Sequence, residues 1–278
     1  MRLDAALASA TERLAPGSDS PRLDAELLLC QTIDMPRSYL FAHPEDELDT
    51  VTLERFETLL GRRLEGEPMA YIIGVREFWS RELMVSPATL VPRPETELLV
   101  DLALRAIPRK SEWRILDLGT GSGAIAIAIA CERPMCKVIA TDASADALAV
   151  ARENVRHNNL ANVECRLGSW TEPVRNESFE LIVSNPPYIR ADDPALQALR
   201  FEPRSALAAG ADGLSDIRIL GRDCGGLLGS DGCLMLEHGA EQQQPVADIL
   251  ASANWCDIAC HNDLAGLPRV TVARHNGT

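Results

Sequence analysis

The segment that most constrains this chain runs from residue 114 to residue 142. A short apolar stretch over 114–118 reads as a strand and contains Asp117 just before its end. Gly119, Thr120, Gly121, Ser122 and Gly123 follow at once. A helical stretch then spans 122–131, and a second strand over 137–141 runs into Asp142. Glycines are needed where a turn is tight and the backbone must come close to a ligand. An acid ~20 residues past such a loop, at the end of the next strand, can accept hydrogen bonds from both hydroxyls of a ribose. Strand, glycine loop, helix, strand and acid together point to a nucleoside-containing cofactor, with a purely structural glycine turn as the weaker reading. The loop also fits the dinucleotide pattern as Gly119-x-Gly121-x-x-Ala124, so a nicotinamide dinucleotide stays open. Asp117 and the third glycine favour S-adenosylmethionine, which has no pyrophosphate for an acid to repel.

Strand and helix patterns alternate from this segment to the end. Further strands are expected over 163–167, 179–184, 233–237, 255–260 and 269–273, with helices at 144–157, near Ser215 and through Val246. This spacing predicts an α/β domain with a Rossmann-like, mostly parallel sheet of seven strands, ligands binding at the strands' carboxyl ends. Before it lies a different kind of sequence. Leu3, Leu7, Ala10 and Leu14 share one helical face, Ser20-Pro21 marks a helix start, and a later helix from Asp49 or Thr50 turns Leu53, Phe56, Leu60 and Leu64 inward. Two extended runs, at 71–75 and 82–85, suggest a hairpin. Three parts are therefore expected: a helical bundle over 1–70, a hairpin linker over 71–93 and a cofactor-binding domain over 94–278.

Composition narrows the function. The net charge is −14, which weighs against a protein that grips nucleic acid through many phosphates. No apolar run approaches the ~20 residues of a membrane span, and the N-terminus lacks a signal pattern. A cytoplasmic protein with reduced cysteines is the expectation; the eight cysteines form no C-x-x-C pair, and the five scattered histidines offer no metal site.

The most informative short motif is Ser184-Asn185-Pro186-Pro187-Tyr188, at the end of the fourth strand of the sheet. Two prolines cannot continue a strand, and they fix the backbone there. Asn185 and Tyr188 should therefore sit at the carboxyl edge, beside the cofactor. Such a site suits methylation of an amide or amino nitrogen, a poor nucleophile while its lone pair is delocalised. The Asn185 side-chain oxygen and the Pro186 carbonyl can accept its two N–H groups, orient it and stabilise the positive charge that develops on it. Tyr188 can pack on the flat group and exclude water. A proline turn with an Asx cap would produce the same letters by itself.

These residues, with Gly66-Glu-Pro68, Gly74-Val-Arg-Glu-Phe-Trp79, Val91-Pro-Arg-Pro-Glu-Thr-Glu97, Phe201-Glu-Pro203, Leu236-Glu-His-Gly239 and Asp263-Leu-Ala-Gly266, resemble the bacterial peptide-chain release factor glutamine methyltransferases over nearly the whole chain. The resemblance implies S-adenosylmethionine as cofactor and transfer of its methyl group to the N5 of the glutamine in a Gly-Gly-Gln loop. It places Gly119 to Gly123, Asp142 and Asn185 against the cofactor, Trp170 near the adenine, and Asn185, Pro186, Pro187 and Tyr188 against the substrate glutamine. A release factor becomes the expected partner of a monomeric enzyme, with no direct nucleic-acid or membrane binding. Asn-Pro-Pro-Tyr alone is shared with DNA adenine and RNA guanine methyltransferases, which remain a second reading; a non-catalytic nucleotide-binding module and an oxidoreductase are more distant ones. Phe78-Trp79 reads as packing more readily than as a cleft wall. Arg93 and Glu95 read equally as an entrance brace or an ordinary helix start.

Overall fold

The computed structural model describes residues 1–275. Two compact units divide between Val75 and Arg76. Five helices make up the first: α1 (Leu3–Leu14), α2 (Pro21–Ile33), α3 (Arg37–Ala42), α4 (Thr50–Leu64) and α5 (Met69–Ile73). The 3.6-residue spacing of α1 buries Leu3, Leu7, Ala10 and Leu14 together. Pro21 stands in the first turn of α2, where its missing N–H costs nothing. Asp49 caps α4 by accepting from the Thr52 N–H at 2.7 Å. Phe56 and Leu60 face the core, but Leu53 is only partly buried and Leu64 is exposed, contrary to the periodic reading. Ion pairs hold the last turn of α4 instead: Arg62 to Glu67 and Arg63 to the buried Asp24.

Residues 71–73, expected as strand, are helical. Pro68 opens α5 and Gly74 closes it with φ +88°, a left-handed cap open to glycine without strain. Five residues are too few for periodicity to separate helix from strand. Ile72 then joins the helical core.

A two-stranded hairpin, β1 (Val75–Phe78) and β2 (Arg81–Met84), starts at the boundary and lies in the second unit but for Val75. Then come α6 (Glu97–Ala106), β3 (Arg114–Leu118), α7 (Ala124–Glu132), β4 (Lys137–Asp142), α8 (Ala145–His157), β5 (Val163–Leu167), β6 (Phe179–Ser184), α9 (Ala195–Ala198), α10 (Ser215–Asp223), β7 (Leu228–Glu237), α11 (Gln243–Ser252), β8 (Trp255–Asn262) and β9 (Pro268–His275). Seven strands form one sheet in the order β5-β4-β3-β6-β7-β9-β8. All neighbours through β7 are parallel; β9 runs antiparallel to both β7 and β8. The α/β expectation therefore holds, seven strands included.

Helix α7 shows why the sheet is covered on both faces. Its Ala-Ile repeat is buried from Ala124 through Ala130, as a helix packed on several sides requires. Truncating Ile127 or Ile129 to alanine in such packing costs ~2–5 kcal/mol. Strand order reverses between β4 and β6, on either side of β3, so the crevice at the sheet's carboxyl edge opens there. Register fixes what meets in it: Leu118 pairs with Ser184, and Ser184 with Leu236. The residues that follow these three, Gly119, Asn185 and Glu237, consequently stand side by side. No helix among the described residues is long and apolar enough to cross a membrane.

Candidate active site

The glycine loop folds back on β4. Gly119 and Thr120 both donate their N–H to the Thr141 carbonyl at 2.9 Å, and Gly119, Gly121 and Gly123 all have positive φ. At Gly119 a side chain would also be crowded, since a Cβ would lie 3.2 Å from the Trp170 ring. Asp142 closes the loop from the other side: its carboxylate accepts from the Gly121 N–H at 2.9 Å and from the Ser144 N–H at 2.8 Å. Beneath the loop, Asp117 accepts from the Thr120 hydroxyl at 2.6 Å and from the Ala126 N–H at 3.2 Å, both on Oδ2. Its Oδ1 has no partner, and burial pushes its carboxyl up to about 7.

These parts wall a cavity of about 300 Å³ that includes Gly119, Thr120, Gly121, Ser122, Asp142, Trp170, Asn185 and Pro187. Gly123 lies behind the wall, where a Cβ would press on Ile127 of α7 at 3.1 Å and meet Ala151 of α8 at 3.4 Å, so it lets the two helices pack closely. The cavity suits S-adenosylmethionine: an acid stands where a ribose can be held, an indole borders the loop, and the one unpartnered oxygen of the buried Asp117 favours positive charge nearby.

The acceptor side comes from distant segments. Ser184 locks β6 to β3 by donating to the Leu118 carbonyl at 2.7 Å. Asn185 then donates through Nδ2 to the Thr96 hydroxyl at 3.1 Å. A second, smaller pocket of about 80 Å³ adjoins, walled by Leu90, Arg93, Pro186, Tyr188 and Leu199 among others, and Asn185 lines both spaces. The Tyr188 carbonyl accepts from Gln242 Nε2 at 3.0 Å. Gly213 must be glycine beside it, because a Cβ would meet that carbonyl at 2.3 Å. Burial lifts the Tyr188 phenol to about 12, so it stays neutral and acts as a wall, not a base.

Three acceptor-side contributors carried no role in the sequence reading. Glu202 accepts from the Val91 N–H at 3.1 Å and pairs with Arg93 at 2.5 Å, tying residues 91–93 to the loop that carries it. Thr96 and Glu237 stand behind Asn185. Glu202 and Glu237 appear in the sequence as single acids in Phe201-Glu-Pro203 and Leu236-Glu-His-Gly239, and Thr96 as one residue of Val91-Pro-Arg-Pro-Glu-Thr-Glu97. On the cofactor side, the fully buried Asn154 was also missed; it joins the hairpin at Met84 to the Ser122 carbonyl at 2.9 Å. Phe78 is buried in the core and Trp79 packs against it; neither borders the cavity.

Residues 5–74 match the family model for the PrmC N-terminal domain, and residues 96–208 that for the methyltransferase small domain. A release factor glutamine methyltransferase of Xylella fastidiosa is 48% identical over 98% of this chain and 98% of its own.

The chain belongs to the release factor glutamine methyltransferase family.

The family member of Aliivibrio fischeri is 47% identical over 93% of this chain and 92% of its own. Among solved structures, the hMettl16 catalytic domain in complex with the MAT2A 3′UTR hairpin 1 superposes with a TM-score of 0.57, covering 85% of this chain and 84% of that one at 13% identity. At that identity the likeness shows the shared methyltransferase fold alone. Family membership makes the chain an S-adenosylmethionine-dependent enzyme, which removes the nicotinamide and non-catalytic readings.

Proposed function

We propose that this chain methylates the N5 of the glutamine side chain in the Gly-Gly-Gln loop of peptide-chain release factors, with Asn185 and Pro186 holding the acceptor amide. One observation carries the reading: Asn185 stands where the larger cavity adjoins a small, mainly apolar pocket that suits a planar amide. S-adenosylmethionine, when bound, supplies a methyl group on an electron-poor sulfur. Everything else is the work of this chain's residues. Gly119, Thr120, Gly121 and Ser122 shape the cofactor's seat, Asp142 accepts from its ribose, and Trp170 flanks its base. The Asn185 oxygen and the Pro186 carbonyl accept the two amide hydrogens, fixing the amide plane so that the nitrogen lone pair perpendicular to it faces the methyl group. Their partial negative charge favours the transition state, in which the nitrogen becomes positive, more than the ground state. Pro187 and Tyr188 stiffen and cover the site. No strong base is required, since the nitrogen's proton becomes acidic once the new bond forms.

The same reading gives the N-terminal helical unit the task of recognising the release factor and leaves the enzyme monomeric and cytoplasmic, without direct nucleic-acid binding, in keeping with its net charge of −14. The test is transfer of labelled methyl from S-adenosylmethionine to a purified bacterial release factor, beside a factor whose loop glutamine is replaced by alanine. Label on the wild-type factor alone supports donor, reaction and target together. Label on neither, with cofactor binding intact, rejects the release factor and directs the search to amino groups of nucleic acids.

A further inference from the structure

For Asn185 to accept a hydrogen from the substrate, its oxygen must face the pocket. Carbonyl and amino group are nearly the same size, so shape alone does not choose between the two orientations. The choice lies with whatever stands behind the amide. There the Asn185 Nδ2 points at Thr96 Oγ1, 3.1 Å away. A hydroxyl both donates and accepts, so Thr96 by itself would serve either orientation equally.

Glu237 breaks this symmetry. It closes β7 one residue beyond Leu236, which pairs with Ser184, and its side chain is fully buried. Neither carboxylate oxygen has a partner of proper hydrogen-bond geometry. The donors within its reach are the Thr96 hydroxyl and the Asn185 amide. An ionised carboxylate only accepts. A buried one left unpartnered is costly, so it draws the Thr96 proton toward itself. Thr96 Oγ1 is then left to accept, and the group facing it must be the Asn185 NH2.

We propose that Glu237, acting directly and through Thr96, sets the orientation of the Asn185 amide so that its oxygen faces the substrate. Both N–H groups of Asn185 are directed away from the pocket, and the oxygen is its only polar atom left for the acceptor. Glu237 and Thr96 are positioning residues; they touch Asn185 and need not touch substrate. The role in turnover rests on the amide-methylation reading above.

The ionisation of Glu237 gives the device a pH dependence. Burial raises its carboxyl to about 7, against the opposing pull of Thr96, Arg269 on β9 and Asn185; Glu95 in the turn before α6 pushes the same way as burial. Tyr188, in the loop after β6, is also coupled to it and stays neutral through this range, and burial lowers the pKa of the neighbouring His238, favouring its neutral form. Once protonated, Glu237 can donate to Thr96 and no longer enforces one orientation. Activity should therefore fall as pH drops below about 7.

The experiment compares wild type with Glu237→Gln, Thr96→Val and Thr96→Ser, each checked for cofactor Kd and thermal melting. Gln keeps the shape but can donate, Val removes the hydroxyl, and Ser restores it. Expected are ~10-fold or larger losses of kcat in Glu237→Gln and Thr96→Val, with KM for both substrates and cofactor Kd within about threefold of wild type, and kcat mostly recovered in Thr96→Ser. The acid limb of kcat near pH 7 should vanish in Glu237→Gln. Wild-type kcat in the Gln and Val variants, or an acid limb unmoved by Glu237→Gln, overturns the proposal.

A readout independent of any methyl acceptor separates this outcome from failure of the functional reading. Exchange of the Asn185 side-chain amide protons, followed by 15N NMR in the free protein, should be at least ~10-fold faster in Glu237→Gln than in wild type. Equal exchange rates overturn the orienting role even if the enzyme proves to act on another substrate.

Discussion

The two sides of the cavity are built in different ways. On the cofactor side, nearly every contact lies within one stretch: Thr120 to Asp117, Gly119 to Thr141, and Asp142 to Gly121 and Ser144. The longest of these, Gly119 to Thr141, spans 22 residues. On the acceptor side, Asn185 reaches Thr96 across 89 residues, and Glu202 reaches Arg93 across 109 and Val91 across 111. The cofactor seat is thus a property of one strand–loop–helix–strand unit, whereas the amide-holding side exists only once the sheet has assembled. Cofactor affinity and turnover should accordingly respond to different residues.

Asn185→Ala tests this most severely. It removes an acceptor needed in the transition state, so kcat should fall ~10²–10³-fold while cofactor Kd stays within about threefold. Equal losses in calorimetric affinity and in steady-state kcat would mean that the two sides are not separate. Asp142→Ala is the converse. It deletes charge-assisted hydrogen bonds worth ~1.5–3 kcal/mol each, and titration should show cofactor binding weakened ~10–100-fold, with kcat at saturation changed much less.

Glu202→Ala probes the scaffold behind the acceptor side. The Val91 N–H loses its partner and Arg93 its counter-charge, but the guanidinium is about one-third exposed, at 34%, and part of that loss is made good by water. Denaturant unfolding should show ~1–2 kcal/mol of destabilisation, with cofactor affinity nearly intact. A large affinity loss would join the two sides again.

A pH-dependent effect, read in stability and not in turnover, belongs to Asp117. Its folded value of about 7 lies above the ~3.9 of an unfolded Asp. A raised folded value means that its contribution is fully present below pH ~4, is lost as pH rises through the folded value of about 7, and is flat beyond it. Relative to Asp117→Asn, the wild-type melting temperature should drop across that window by several degrees, at ~2–4 °C for each kcal/mol lost in a chain of this size. Because the group is local to the cofactor side, the same window should appear in Glu202→Ala. A pH-independent difference between wild type and Asp117→Asn would contradict the assignment.

The same division explains what was legible beforehand. Gly119 to Gly123 with Asp142 could be read because a tight turn demands glycine and the acid follows at a fixed interval, both one-dimensional facts. The chain punctuation of Asn185-Pro186-Pro187-Tyr188 was equally plain. Misreadings fell where local pattern was too short or tertiary contact took over: residues 71–73 in α5 and Leu64 exposed at the end of α4.

Glu237 marks the limit of the letters. By itself the sequence determined the alternation that makes a parallel sheet, the loop that seats a nucleoside and the rigid Asn-Pro-Pro-Tyr turn, since each depends on neighbours a few residues apart or on a regular interval. Only the tertiary structure decided that β7 lies beside β6, bringing Glu237 and Thr96 behind Asn185 and Glu202 behind Arg93. Strand order and register set those distances, and an acid in an apolar run reveals neither its partner nor its protonation until the sheet has closed around it.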